Sequence, residues 1–314
     1  MTGAKSSCTG ADGVGDHAGQ PIDSDKQFSW APPTEIGSIL SADTNIKSGS
    51  QPSFIKPWLI MLGLSLIGYL ALGEVMPRVI EGKGDPQIVR YIGIGVGLLL
   101  GLLSLLYTWP ATPECTYVGS DGAALLRGKW GQPEASKKQA VVFRDMNVLF
   151  ASSTHMYKNL IYDKTLFHFH WHKEPGGPAD LAIFGEHKCK DAPPPAGNIF
   201  YFGMHAEDRW MEELLGRHGS TPPTGQTLTF PCRNSDIKEV RLQSDRIEFV
   251  YKQHVDAIPF ADLGRFDAKR GVLQFDQNDA TWFSNKGKFR LKYGNLGNAG
   301  LFLHYLAQLL QQEQ

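Results

Sequence analysis

The run Phe167-His168-Phe169-His170-Trp171-His172 holds the side chains most able to do chemistry. In an extended strand successive side chains point to opposite faces, so His168, His170 and His172 would share one face and the aromatics the other. Imidazoles two residues apart on a strand lie about 7 Å from one another, a usable spacing for chelation, and His187 and Cys189 are the nearest additional donors. A polar strand face over an aromatic core has the same pattern and needs no metal. A second alternation sets Lys286, Lys288, Arg290 and Lys292 against Phe289, Leu291 and Tyr293, which would show four cations on one strand face. Such a face suits anionic lipid headgroups, at about 1 kcal/mol per cation near the surface, or guards an edge strand against pairing.

No Ser-His-Asp order, nucleophile elbow, glycine-rich phosphate loop or H-E-x-x-H motif can be assembled. The reading is therefore a non-enzymatic binding or scaffolding protein without a cofactor; a metal-dependent enzyme using the His168, His170 and His172 face is the alternative. Lys and Arg total 31 against 32 acidic residues, so no large basic surface points to nucleic acid. Four cysteines, Cys8, Cys115, Cys189 and Cys232, form no C-x-x-C pair and suit a reducing compartment.

Two uncharged apolar runs, Pro57 to Gly73 and Tyr91 to Trp109, set the expected plan of the chain. Each is long enough in sequence to cross a hydrocarbon core as a helix, so residues 54–110 read as a transmembrane hairpin with spans at about 57–75 and 91–109. Gly93, Gly97 and Gly101 recur every four residues and would give the second span a flat packing face, either within the hairpin or against another subunit of a membrane complex. The short polar link between the runs then puts both termini on one side, read as the cytoplasmic side of the cell inner membrane. Residues 1–53, rich in Gly, Ser, Asp and Pro, read as a disordered tail.

After Pro113 two segments share an order of short strands and a closing helix. The first reads as strands at Ala123–Arg127, Val141–Met146, Leu166–Trp171, Leu181–Phe184 and Ile199–Phe202, then a helix at His205–Leu215. The second reads as strands at Arg246–Tyr251, Ile258–Leu263, Val272–Phe275, Thr281–Phe283 and Phe289–Tyr293, then a helix from about Asn298 to Gln311. Phe143-Arg144-Asp145 and Phe260-Ala261-Asp262 fall at the same step, where the recurring Asp145 and Asp262 suggest a turn or cap rather than an acid-base pair. Gly219 to Gly225 is a linker by composition, dividing residues 111–219 from 220–314.

This strand order, the two Phe-x-Asp steps and the closing helices resemble the pleckstrin-homology-like (PH-like) modules of bacterial two-pass membrane proteins. The resemblance implies an α+β membrane protein, a two-helix transmembrane hairpin followed by two tandem PH-like units. It also implies a binding module whose partner is an anionic lipid or a membrane protein.

Overall fold

A computed structural model of the chain describes residues 13–47, 55–68, 70, 91, 95, 96, 98–100, 102, 103, 112–223, 225–280 and 286–312. It divides into two compact units, one of Met1–Ile46, Glu114–Gly128 and Pro133–Gln314, the other of Lys47–Pro113 and Lys129–Gln132.

The larger unit is mainly β. Its first sheet has the order β1-β2-β3-β4, built from Ile39–Thr44, Glu114–Gly119, Gly122–Arg127 and Lys137–Val142. A 3₁₀ turn at Phe143–Asp145 leads into a three-stranded sheet, β5-β6-β7, of Val148–Lys158, Ile161–His172 and Leu181–His187. The helix α2 (Ile199–His218) follows; α1 (Ile55–Gly68) belongs to the smaller unit. The same series then repeats. Strands β8 (Leu228–Pro231), β9 (Glu239–Leu242), β10 (Arg246–Val250) and β11 (Val255–Pro259) form a four-stranded sheet, and a 3₁₀ turn lies at Phe260–Asp262. Strands β12 (Leu263–Lys269), β13 (Val272–Gln277) and β14 (Lys288–Lys292) form a three-stranded sheet, and α3 (Ala299–Gln312) closes the series. All pairings between these strands are antiparallel.

The two Phe-x-Asp steps are thus the turns between four-stranded and three-stranded sheets. In each, the phenylalanine is buried and the aspartate exposed. Arg217 of α2 fixes the first by donating to the carbonyls of Met146 (2.8 Å) and Phe143. The core runs without a break through both repeats, from Phe167, Trp171 and Trp210 to Phe249, Phe275 and Phe302. The boundary at 219/220 therefore separates sequence repeats rather than compact bodies.

Four expectations are corrected. Among the described residues fourteen strands in four antiparallel sheets replace the α+β membrane protein. Among the described residues no helix is long and apolar enough to cross a membrane. The helix α1 has 14 residues, about 21 Å at 1.5 Å per residue, against a hydrocarbon core of about 30 Å. The transmembrane hairpin, the multi-pass description and the inner-membrane placement are corrected on that finding, since none of the described helices meets the length and apolarity that a span needs. Gly93, Gly97 and Gly101 lie outside the described residues.

The expected disordered tail supplies β1 instead, and its strand pairs Ser41 to Thr44 with Val118 to Cys115. Ile36 and Ala42 are fully buried there, so a few well-placed apolar residues suffice where average composition suggests none would. Residues 47–113 consequently fall between the first two strands of a sheet, not ahead of it. Finally, Ile199–Phe202 is the first turn of α2. The Asn198 side chain caps it by accepting from the Phe200 N–H at 2.9 Å, and a four-residue apolar run cannot by itself distinguish strand from helix. Thr281–Phe283 lies outside the described residues.

Packing of α2 on β6 depends on Gly203, where a Cβ would fall 2.3 Å from the Phe169 ring. Gly203→Ala is expected to cost about 2 kcal/mol through overpacking of a buried contact. An unchanged denaturant midpoint would show that the ring moves freely.

Candidate functional site

Strand β6 sorts its side chains as strand alternation dictates. Phe167, Phe169 and Trp171 are buried in the core, while His168 and His170 are half-buried on the opposite face and His172 is buried at its end. The rings of His168 and His170 lie 5.1 Å apart and those of His170 and His172 6.1 Å apart. Each imidazole already has a partner. Ser152 Oγ lies 2.9 Å from His168 Nε2, His172 Nδ1 donates to the Gly177 carbonyl at 3.0 Å, and His170 Nδ1 accepts from Arg233 Nη1 at 2.8 Å.

These bonds engage ring nitrogens that a metal would need. Arg233 occupies a lone pair of the central histidine and adds a positive charge where a cation would have to sit. Among the described residues no group of three or more His, Cys, Asp or Glu side chains is placed to hold a metal ion. His187 stacks on Phe167, 6.1 Å between centroids, and so lies with the aromatics rather than with the histidine cluster.

Arg233 arrives from the second repeat. It follows β8, and its main-chain N–H is held by the Asn295 carbonyl at 2.9 Å. Its guanidinium lies 4.4 Å over the Phe150 ring, a cation–π contact. Among the described residues no ion pair holds it, and burial alone depresses its pKa, so it remains a half-buried cation. Burial first, then Arg233, lowers the pKa of His168, and the same causes bring His170 down to about 4. Near neutral pH His170 is therefore uncharged, and the guanidinium beside it carries a charge. Phe184, 61% exposed, stands 4.8 Å from His170 as an outer wall. The arrangement is a cation backed by an aromatic ring, oriented by a neutral imidazole, with guanidinium donors left over; its chemistry is anion recognition.

A second polar cluster joins the N-terminal segment to α2. Ser41 Oγ lies 2.7 Å from His17 Nδ1 and 2.6 Å from His205 Nδ1, and His17 Nε2 lies 2.8 Å from Thr116 Oγ1. Thr116 donates its hydroxyl proton to the Asp43 carbonyl, so it must accept from His17 Nε2–H. His17 Nδ1 is then bare and accepts from Ser41, which in turn accepts from His205 Nδ1–H. Burial first, then His205 and Lys26, push the His17 pKa down to about 3. This looks like a nucleophile beside its base, but Ser41 is 2% exposed and His17 is too weak a base at neutral pH; the chain of bonds fastens β1 to β2 and α2.

The cationic strand is less bare than its sequence suggests. Lys288, Arg290 and Lys292 do alternate on β14, with Leu291 buried behind them, but Asp276 pairs across from Lys288 and Gln274 from Arg290. Asp267, on β12 at the far edge of the same sheet, bridges Arg265 and Lys269 at 2.9 Å each. Lys286 precedes the strand. The recess beside Glu207, Trp210 and Tyr293 has room for little more than a water molecule.

Sequence reasoning missed Arg233, His17, Ser41 and His205. Their contacts join residues 63, 24 and 164 positions apart, and no local pattern marks such pairs. Set against known proteins, the chain matches no family model and none of the curated proteins.

Proposed function

We propose that this chain is a non-enzymatic binding module that recognises a phosphate-type anion at the Arg233–His170 site, each of its repeats being a PH-like unit. The observation that carries the reading is Arg233 itself. A half-buried guanidinium is normally matched by a carboxylate, whereas this one is met, among the described residues, by an imidazole lone pair, the Gly294 carbonyl and an aromatic face, which orient it without neutralising it. The repeated four-strand, three-strand and helix series supports the PH-like reading.

Calorimetric titration with soluble inositol phosphates and with a phosphoserine peptide tests this and separates a lipid headgroup from a phosphoprotein as the source of the anion. Arg233→Gln should weaken either interaction at least tenfold, the scale of one charge-assisted hydrogen bond. Arg233→Lys, which keeps the charge but loses the fork, should fall between. Unchanged affinity in Arg233→Gln, or no binding of either probe, would sink the reading.

A further inference from the structure

The hairpin β5–β6 outruns its sheet. Strand β7 pairs with β6 from Thr165 onward, so residues 155–164 continue as a two-stranded ribbon with Tyr157 opposite Tyr162 and Lys158 opposite Ile161. The ribbon's root is tied down: the Tyr162 hydroxyl bonds Thr165 Oγ1 at 2.8 Å and donates to the His187 carbonyl, and Lys164 pairs with Glu186 at 2.6 Å. Its tip is apolar. Leu160 is 96% exposed and Ile161 73%, with Met156 and Tyr157 exposed behind them.

The turn residues are Asn159 and Leu160, with φ of 51° and 66°. A two-residue turn with both φ positive is the kind that favours asparagine followed by glycine. Leucine in the second position is strained and puts its whole side chain into water, against both backbone preference and hydrophobicity.

We infer that this tip is a wedge that inserts into a lipid surface, with Leu160 and Ile161 deepest. The order of side chains along the ribbon carries the assignment. Leu160 and Ile161 lie at the turn with Lys158 across from Ile161, Tyr157 and Tyr162 stand one step back, and Asp163, Lys164 and Lys190 follow, the last with its ammonium 5.7 Å from the Tyr157 ring. Aliphatic side chains at the tip, an aromatic collar behind them, and lysines whose long stems let the ammonium of Lys158 reach back to the level of Lys164 and Lys190 suit the passage from acyl chain to headgroup. The inference stands apart from the Arg233 site, which draws on other residues.

Hydrogen exchange of the full chain tests it, read at the amides of residues 155–164, so that vesicle contact elsewhere on the chain does not register. Phosphatidylcholine vesicles containing phosphatidylserine should slow exchange there about tenfold. The double variant Leu160→Gly, Ile161→Ser should lose that slowing while folding at least as well, since glycine suits the turn. Exchange unaffected by vesicles, or slowed equally in the variant, overturns the inference. Slowing that appears on raising protein concentration without vesicles overturns it in favour of a second copy of this chain.

Discussion

Replacing Asn298 with alanine is expected to destabilise the protein by about 4 kcal/mol, a fall in Tm of roughly 10 °C for a body of this size. Asn298 occupies the residue before α3 in the left-handed region, at φ 53°. Its main-chain N–H donates to the Leu149 carbonyl at 2.8 Å, while its side-chain oxygen accepts from the Leu149 N–H at 2.9 Å and from Trp210 Nε1 at 3.0 Å. The side-chain nitrogen donates to the Asn147 carbonyl at 2.9 Å, and the carbonyl of Asn298 accepts from Phe302 to open α3. One residue thus ties β5, α2 and α3 together across the two repeats. Alanine would leave the buried Trp210 indole and the Leu149 amide without acceptors, at about 1–3 kcal/mol each, and would be strained at that φ. Asn298→Gly removes the hydrogen bonds but not the backbone freedom, and Asn298→Asp keeps both acceptors. Stability measured by denaturant unfolding should fall in the order Asn, Asp, Gly, Ala. An alanine variant within 1 kcal/mol of the parent would refute the keystone role.

Acid should weaken the fold through His17. Its folded-state pKa of about 3 lies below the ordinary histidine value of 6.5, so the unfolded chain binds more protons between those limits. The contribution of His17 is fully present above pH 6.5 and is lost as pH falls towards 3. Protonation would also force Nδ1 to donate, reversing the bond on which the Ser41 hydroxyl depends. Between pH 6.5 and 4.5 this amounts to about 2 kcal/mol. His170, held near 4, acts in the same direction over the upper part of that range. Glu207 acts in the opposite direction: burial, then Asp208, raise its pKa to about 7, so it destabilises the fold as pH rises from 4.5 to 7. The decisive quantity is therefore a difference. Between pH 6.5 and 4.5 the parent should lose about 2 kcal/mol more than His17→Gln does, by denaturant unfolding at each pH. Parallel pH profiles would remove His17 from the account.

Wherever the physics is local, the chain declared its structure. The two-residue period of Phe167 to His172 and of Lys288 to Lys292 follows from the pleat, and the structure puts those side chains on opposite faces accordingly. The amphipathic period of Asn298 to Gln311 meets α3, whose Phe302, Tyr305, Leu306 and Leu309 are buried. The recurrence of Phe143-Arg144-Asp145 and Phe260-Ala261-Asp262 marked the repeat, because the same turn must join the same two sheets each time. Tertiary structure alone decided the rest. It turned a polar, glycine-rich opening into the edge strand β1, because Ile36 and Ala42 find burial only against strands that come more than seventy residues later. Among the described residues it also leaves no helix long and apolar enough to cross a membrane, where apolar composition alone reads as a span. Above all it brought Arg233 from one repeat onto the histidine face of the other, where it meets the central His170 and the Phe150 ring. A side chain's charge and period are written in its own neighbourhood; the partner that decides what that charge is for is supplied by folding.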